Sequence, residues 1–361
     1  MSLVVMVMLG SCTTAANQTS AQKSPATDSA LNSAANRFLT NYVTSDGRVI
    51  RRDQGGDIVS EGQAYGMLIA ESINRPSVAR TIWTWTKRHL GRSDGLFAWH
   101  ATSDGQIEDS QSAADADILI AFALLRYQGP GGTSLHAAGK RVASAILANE
   151  AVTLSNGDPV IVAGPWAKHS SPPVVDPSYF MPGVYSYLAR ATGDERWSKA
   201  ASAAIALVHA LTDSGQRLPS DWAQLSGSSL VATPAPSSSA SIQYGLDAQR
   251  VPIWFGTSCE PAAVSLAADW WRNILSKDDR AVPIALSLGG QTINSATNPL
   301  PLLAAASAAS AAGDQASANA LRVKAVKTSL RTPTYYGDAW VALSAAITSG
   351  VLLSCKEVSN G

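Results

Sequence analysis

The stretch Asp57-Ile58-Val59-Ser60-Glu61-Gly62-Gln63-Ala64-Tyr65-Gly66-Met67 sets an acid at the mouth of a largely apolar helix. Ser60, followed three residues later by Gln63, has the spacing of a capping box, which puts Glu61 in the first turn. The helix dipole favours an acid there in any protein, so position alone does not make Glu61 catalytic. Gly62 and Gly66 each weaken a helix by about 1 kcal/mol relative to Ala. They need another reason, such as close approach of a substrate or of a neighbouring helix.

Working outward from this segment, apolar residues recur at three- and four-residue spacing along most of the chain. They predict twelve helices, over 28–44, 60–73, 76–90, 111–127, 132–149, 177–192, 194–213, 242–256, 260–277, 296–313, 314–328 and 334–349. Asn74-Arg75-Pro76, Gln128-Gly129-Pro130-Gly131-Gly132, Thr192-Gly193-Asp194 and Gly313-Asp314 punctuate them. Strand-like pieces are short and few, at 47–50, 95–99 and 160–163, and the Ser/Pro/Ala-rich stretch 224–241 reads as a long loop. The fold class is therefore all-α. Twelve helices joined by tight turns can close as an inner ring of six inside an outer ring of six. The even-numbered helices would then all run the same way, bringing their unpaired N–H groups and positive dipole ends to one cleft. A loose bundle or a solenoid has the same helix count, and the polar residues discriminate better.

At 361 residues and 46% hydrophobic, the chain can bury a large core, and its 27 basic residues balance its 27 acidic ones. No basic run or aromatic-basic stripe occurs, so a nucleic-acid partner is not expected and a neutral one fits better. Near the N-terminus an apolar run from Leu3 precedes Leu9-Gly10-Ser11-Cys12, which has the look of a lipoprotein cleavage box, although a basic n-region is absent and the run is short. The expected organisation is a signal and polar tether over 1–29, a single helical domain over 30–350 and a tail over 351–361. An exported monomer is expected, either periplasmic, secreted or anchored to the envelope through a lipidated Cys12, the alternative being a disordered tail with an incidental Cys. Cys259 and Cys355 form either a disulfide or two buried thiols. If the helix count is right, both face the end of the barrel opposite the cleft.

Four more helix starts carry candidate chemistry. Ser112-Ala113-Ala114-Asp115-Ala116-Asp117 opens the fourth helix with two acids where a cap needs one. Asp247 and Arg250, within Tyr244-Gly245-Leu246-Asp247-Ala248-Gln249-Arg250-Val251-Pro252, have the spacing of a simple i,i+3 salt bridge, with Pro252 placed to start or kink the helix. Asp176-Pro177-Ser178-Tyr179-Phe180 and Thr334-Tyr335-Tyr336-Gly337-Asp338 open the sixth and twelfth helices. Five even helices thus begin with an acid or an aromatic, the pattern of a carbohydrate cleft. Trp99, Trp166, Tyr179, Tyr335 and Tyr336 are the candidates for stacking on sugar rings, and each would serve equally in core packing.

From about residue 35 to 345 these segments resemble, in order, those of glycoside hydrolase family 8, the bacterial endoglucanases. Ser60 to Met67 is similar to the segment that bears the family's general acid. Ala113-Ala114-Asp115-Ala116-Asp117 resembles the Ala-(Ser/Thr)-Asp-(Ala/Gly)-Asp signature, whose first Asp grips the sugar, with Ala114 in place of the hydroxyl residue. Asp247 to Pro252 resembles the general-base motif, Asp176 to Phe180 the Asn-Pro-Ser-Tyr segment, and Leu218-Pro219-Ser220-Asp221-Trp222 a Leu-Pro-x-Asp-Trp piece. The resemblance implies an (α/α)6 barrel and an inverting endo-acting hydrolase of β-1,4-glucan, with Glu61 as acid, Asp247 as base, and Asp115 and Arg250 as substrate-binding and positioning groups. It implies no metal or organic cofactor, and the chain has no metal-ligand spacing of its own. Xylan, chitosan and mixed-linkage glucan are further substrates of this class. A protein that only holds glucan during export is the competing reading, and it would need neither Glu61 nor Asp247. One departure stands out: Leu246 occupies the place before the base where relatives carry Tyr, and Tyr244 is the expected substitute.

Overall fold

The computed structural model describes residues 25–236, 241–277 and 283–355. Among these are twelve helices of six residues or more. The outer ones are α1 (Pro25–Tyr42), α3 (Pro76–His89), α5 (Gly132–Asn149), α7 (Arg196–Leu211), α9 (Pro261–Asn273) and α11 (Gln315–Arg331). The inner ones are α2 (Ser60–Ser72), α4 (Ala114–Arg126), α6 (Pro182–Thr192), α8 (Val251–Gly256), α10 (Pro299–Ala311) and α12 (Tyr335–Thr348). Each inner helix packs on the next and α12 returns to α2, so the ring closes as an (α/α)6 barrel. Composition decides which ring a helix joins. Every residue of α4 except Arg126 is buried, as a helix apolar all round beyond its first turn requires, whereas α11 buries only Ala318, Ala325, Thr328 and Ser329.

Proline in the first turn starts α3, α6, α8, α9 and α10, where its missing N–H removes no helical bond. Several predicted helices begin late, because the residues before them are extended and face the cleft. The fourth starts at Ala114, the sixth has a 3-10 turn at Pro177–Tyr179 before α6, and the eighth is helical only from Ala248. One extra helical turn lies at Pro165–Lys168. The segment read as a long loop contains most of a hairpin, Trp222–Ser226 paired with Ser229–Thr233. Its two-residue turn, Gly227-Ser228 with Gly227 at φ +60°, is a hairpin signal that the Ser-rich composition masked.

Helix α1 already begins at Pro25, inside the region read as tether, while Cys12 lies outside the described residues. At the other end the chain stays attached beyond residue 350, since Leu352 and Leu353 are buried and Cys355 is bridged to Cys259. The two cysteines follow the C-termini of α8 and α12, at the end of the barrel away from the cleft. Among the described residues no helix is long and apolar enough to cross a membrane.

Candidate active site

The starts of all six inner helices meet in one cavity of about 400 Å³, lined among others by Glu61, Asp115, Tyr179, Asp247, Asn298 and Tyr336. The capping box is not formed. Val59 is the extended cap residue, the Ser60 hydroxyl has no partner among the described residues, and buried Gln63 turns away to bridge Val49 N, Gly47 O and Thr86 Oγ1 at 2.6, 3.0 and 2.8 Å. Gln63 finds three partners inside the core that it would forgo as a cap. Glu61 still sits in the first turn. Gly62 is required because a Cβ there would meet the Tyr335 hydroxyl at 2.5 Å, and Gly66 because one would meet Val49 Cγ2 at 2.8 Å.

At the centre is Arg250, its side chain only 4% exposed. Its Nη1 donates to Glu61 Oε1 (2.7 Å) and Asp115 Oδ2 (2.9 Å), and its Nη2 donates to Asp247 Oδ1 (3.0 Å) and Asp176 Oδ2 (3.4 Å). The Tyr179 ring stacks beneath the guanidinium, 5.6 Å from ring centre to Cζ. Four carboxyl groups around one cation cannot all ionise freely. Burial first, and then the nearby Asp115 and Asp247 charges, push Glu61 up to about 7 against the opposing pull of Arg250. Burial likewise raises Asp115 and, more strongly, Asp176. The two bonds to one guanidinium fork hold Glu61 Oε1 and Asp247 Oδ1 within about 8 Å of each other. The two differ in access: the Glu61 side chain is 20% exposed and that of Asp247 41%.

The remaining sequence candidates divide. Trp99 lines the cleft, stacked on His100, and its carbonyl accepts from Ser60 N at 3.0 Å, which ties it to the mouth of α2. Tyr336 also lines it and is partly exposed. Tyr335 borders the cleft, but its ring is buried against Phe38 and Tyr42, so no face is free for a sugar. Trp166 is not among the lining residues. Tyr244 is buried outside the cleft and does not replace the missing Tyr at Leu246. Asp57, upstream of Glu61, is held elsewhere. Arg51 holds it through two bonds of 2.8 and 2.5 Å, and His100 adds a third at 2.8 Å. Asp117 points away from Asp115, to Phe97 N at 3.1 Å and to Glu150.

The sequence reading passed over Tyr65, whose hydroxyl donates to Glu61 Oε1 at 2.5 Å. Its place four residues after Glu61, on the same helix face, was the available signal. Asp176 stands in the sequence only as part of a motif, yet it contacts Arg250. Arg51, Asp53, Gln54 and Asn298, also in the lining, sit in loops with no pattern to mark them.

The model of glycosyl hydrolases family 8 matches residues 3–349. A probable endoglucanase of Novacetimonas hansenii is 29% identical over 236 residues, covering 60% of this chain and 64% of that protein. Endoglucanase A of Acetivibrio thermocellus is 28% identical over 266 residues, covering 66% and 53%. The matched stretch is thus less than two thirds of the length of either relative. Among solved structures, the apo β-1,3-1,4-glucanase from Paenibacillus sp. X4 superposes with a TM-score of 0.79 at 23% identity, over 90% of this chain and 92% of that one. With a family match over nearly its whole length and a closed double ring of helices around its acids, the chain belongs to glycosyl hydrolases family 8.

Proposed function

We propose that the protein is an inverting, endo-acting hydrolase of β-1,4-glucan. The observation that carries this reading is the pairing of Glu61 and Asp247 through one buried guanidinium, with one carboxyl raised to about 7 and the other open to the cleft. Glu61 is protonated often enough near neutrality to give its proton to the glycosidic oxygen as the bond to the leaving sugar breaks. Asp247, on the opposite side, takes a proton from the water that attacks the anomeric carbon. An inverting pair needs roughly 6.5 to 9.5 Å between its carboxyls to admit that water, a spacing that the limit of about 8 Å allows. Arg250 keeps Asp247 oriented, and Asp115 accepts from sugar hydroxyls at the cleavage point. Trp99 and Tyr336 offer ring faces to the neighbouring sugars.

The names of the curated relatives support an endoglucanase, and a raised acid beside an accessible carboxylate is chemistry that a mere glucan holder does not need. Export is proposed with it, because the Cys259–Cys355 disulfide suits an oxidising compartment. Lipidation of Cys12 and a monomeric state are parts of the same proposal. Reducing-sugar release from carboxymethylcellulose, mixed-linkage glucan, xylan and soluble chitosan tests the reading. Fastest turnover, with a rapid fall in viscosity, is expected on a β-1,4-glucan. Binding without turnover on all four would contradict it.

A further inference from the structure

Asp247 does not stand on a regular helix. It precedes a 3-10 turn at Ala248–Arg250, in a loop that Tyr244 ties to Leu286 by paired backbone bonds of 2.8 and 3.0 Å. Beneath this loop lies Asp221, from the Leu218-Pro219-Ser220-Asp221-Trp222 segment that the proposed mechanism leaves unused. Its Oδ1 accepts from Gly245 N (2.7 Å) and Ala248 N (2.9 Å), the amides on either side of Leu246-Asp247, and its Oδ2 accepts from Gln243 Nε2 (3.0 Å). Its own N–H donates to Gln243 O at 2.9 Å, so the loop is held from below at both edges.

Resting on the reading of Asp247 as the general base, we propose that Asp221 is the positioning residue for that base, acting through the two backbone amides that bracket it. Three features support this. Both Asp221 oxygens accept from donors of this loop, which fill three of the carboxylate's roughly four acceptor sites and commit it to holding the loop. Gly245 lacks a side chain where a Cβ would collide with Asp221 Oδ2 and Gln243 Nε2, which makes the glycine part of the same clamp. Burial first, then the charge of Asp247, raise Asp221 to about 6, so above that pH it meets its three donors as a carboxylate. Asp221 and Asp247 also line one cavity beside the cleft, which places them against each other rather than on separate faces.

The test is steady-state kinetics on a soluble β-1,4-glucan, with melting temperatures to confirm folding. Asp221→Ala is expected to lower kcat about 100-fold with KM within about twofold, since a displaced base costs rate rather than binding. Asp221→Asn keeps an oxygen for both amides, and Gln243 can turn its amide to meet the new NH2, so it should recover about tenfold or more of that loss. Asp221→Glu keeps the charge but is too long for the space and should not recover it. Wild-type kcat in Asp221→Ala, or Asn no better than Ala, would overturn the inference. If Asp221→Ala does not fold, Gly245→Ala takes its place, and wild-type kcat in that variant overturns it equally. Asp247→Asn separates the two levels. If that variant is active, the reading of the base fails and this inference with it. If it is inactive while Asp221→Ala is unimpaired, only this inference fails.

Discussion

The two sides of the cleft are built differently. Glu61 stands in the first turn of a thirteen-residue helix whose neighbours are almost all buried, with Tyr65, Arg250 and the space left by Gly62 around it. Asp247 stands in a loop ahead of a six-residue helix, twice as exposed, and Arg250 and Asp221 hold it from behind. The contrast matches the two tasks proposed for them. An acid must resist ionisation, which burial achieves, and a base must keep its charge and meet water, which burial would prevent. The helix dipole at the mouth of α2 works against the acid, and the environment of Glu61 outweighs it.

The largest effect should come from breaking the base side. Asp247→Asn is expected to lower kcat about 10⁴-fold, with glucan affinity and melting temperature nearly unchanged, because the amide keeps the shape but takes no proton. Isothermal titration beside kinetics checks both halves. Glu61→Gln should cost about 10³-fold on natural glucan. On a dinitrophenyl cello-oligoside, whose leaving group needs no proton, Glu61→Gln should recover most of its rate and Asp247→Asn should not. Equal recovery by both would erase the division of labour between them.

Two milder changes probe the acid's titration. With Glu61 as the proposed acid, turnover needs it protonated, so kcat/KM should fall as pH rises through about 7. Arg250 pulls the Glu61 pKa down. Arg250→Met should therefore move this limb to higher pH while lowering the maximum about 100-fold, since the base also loses its anchor. The Tyr65 hydroxyl favours the ionised form of Glu61 by donating to it, so Tyr65→Phe should move the limb upward with only a few-fold change at its maximum. A limb that stays put in both variants would detach it from Glu61.

Much of this was readable before the structure, and the reasons for the rest are physical. Hydrophobic periodicity marks twelve helices, and tight turns between them alternate their direction, while closure into an (α/α)6 ring was implied by the family resemblance. Glu61, Asp115, Asp247 and Arg250 come together because each lies at the start of an even-numbered helix. What failed were choices among partners. Gln63 fitted a cap by spacing and took core partners instead, and Tyr335 carried the right ring in the wrong place, beneath the acid rather than beside the sugar. The clamp on Asp247 could not be inferred from spacing, since Asp221 reaches it across 26 residues through backbone amides that look alike in any sequence.

The stereochemistry of the first-formed product tests the paired roles most directly. Proton NMR during early hydrolysis of a cello-oligosaccharide, before mutarotation, is expected to show the α-anomer of the new reducing end first. That is the outcome when Asp247 directs water to the face opposite Glu61. If the β-anomer forms first, the carboxyls work through a covalent intermediate, and the roles of Glu61 as acid and Asp247 as base toward water are contradicted.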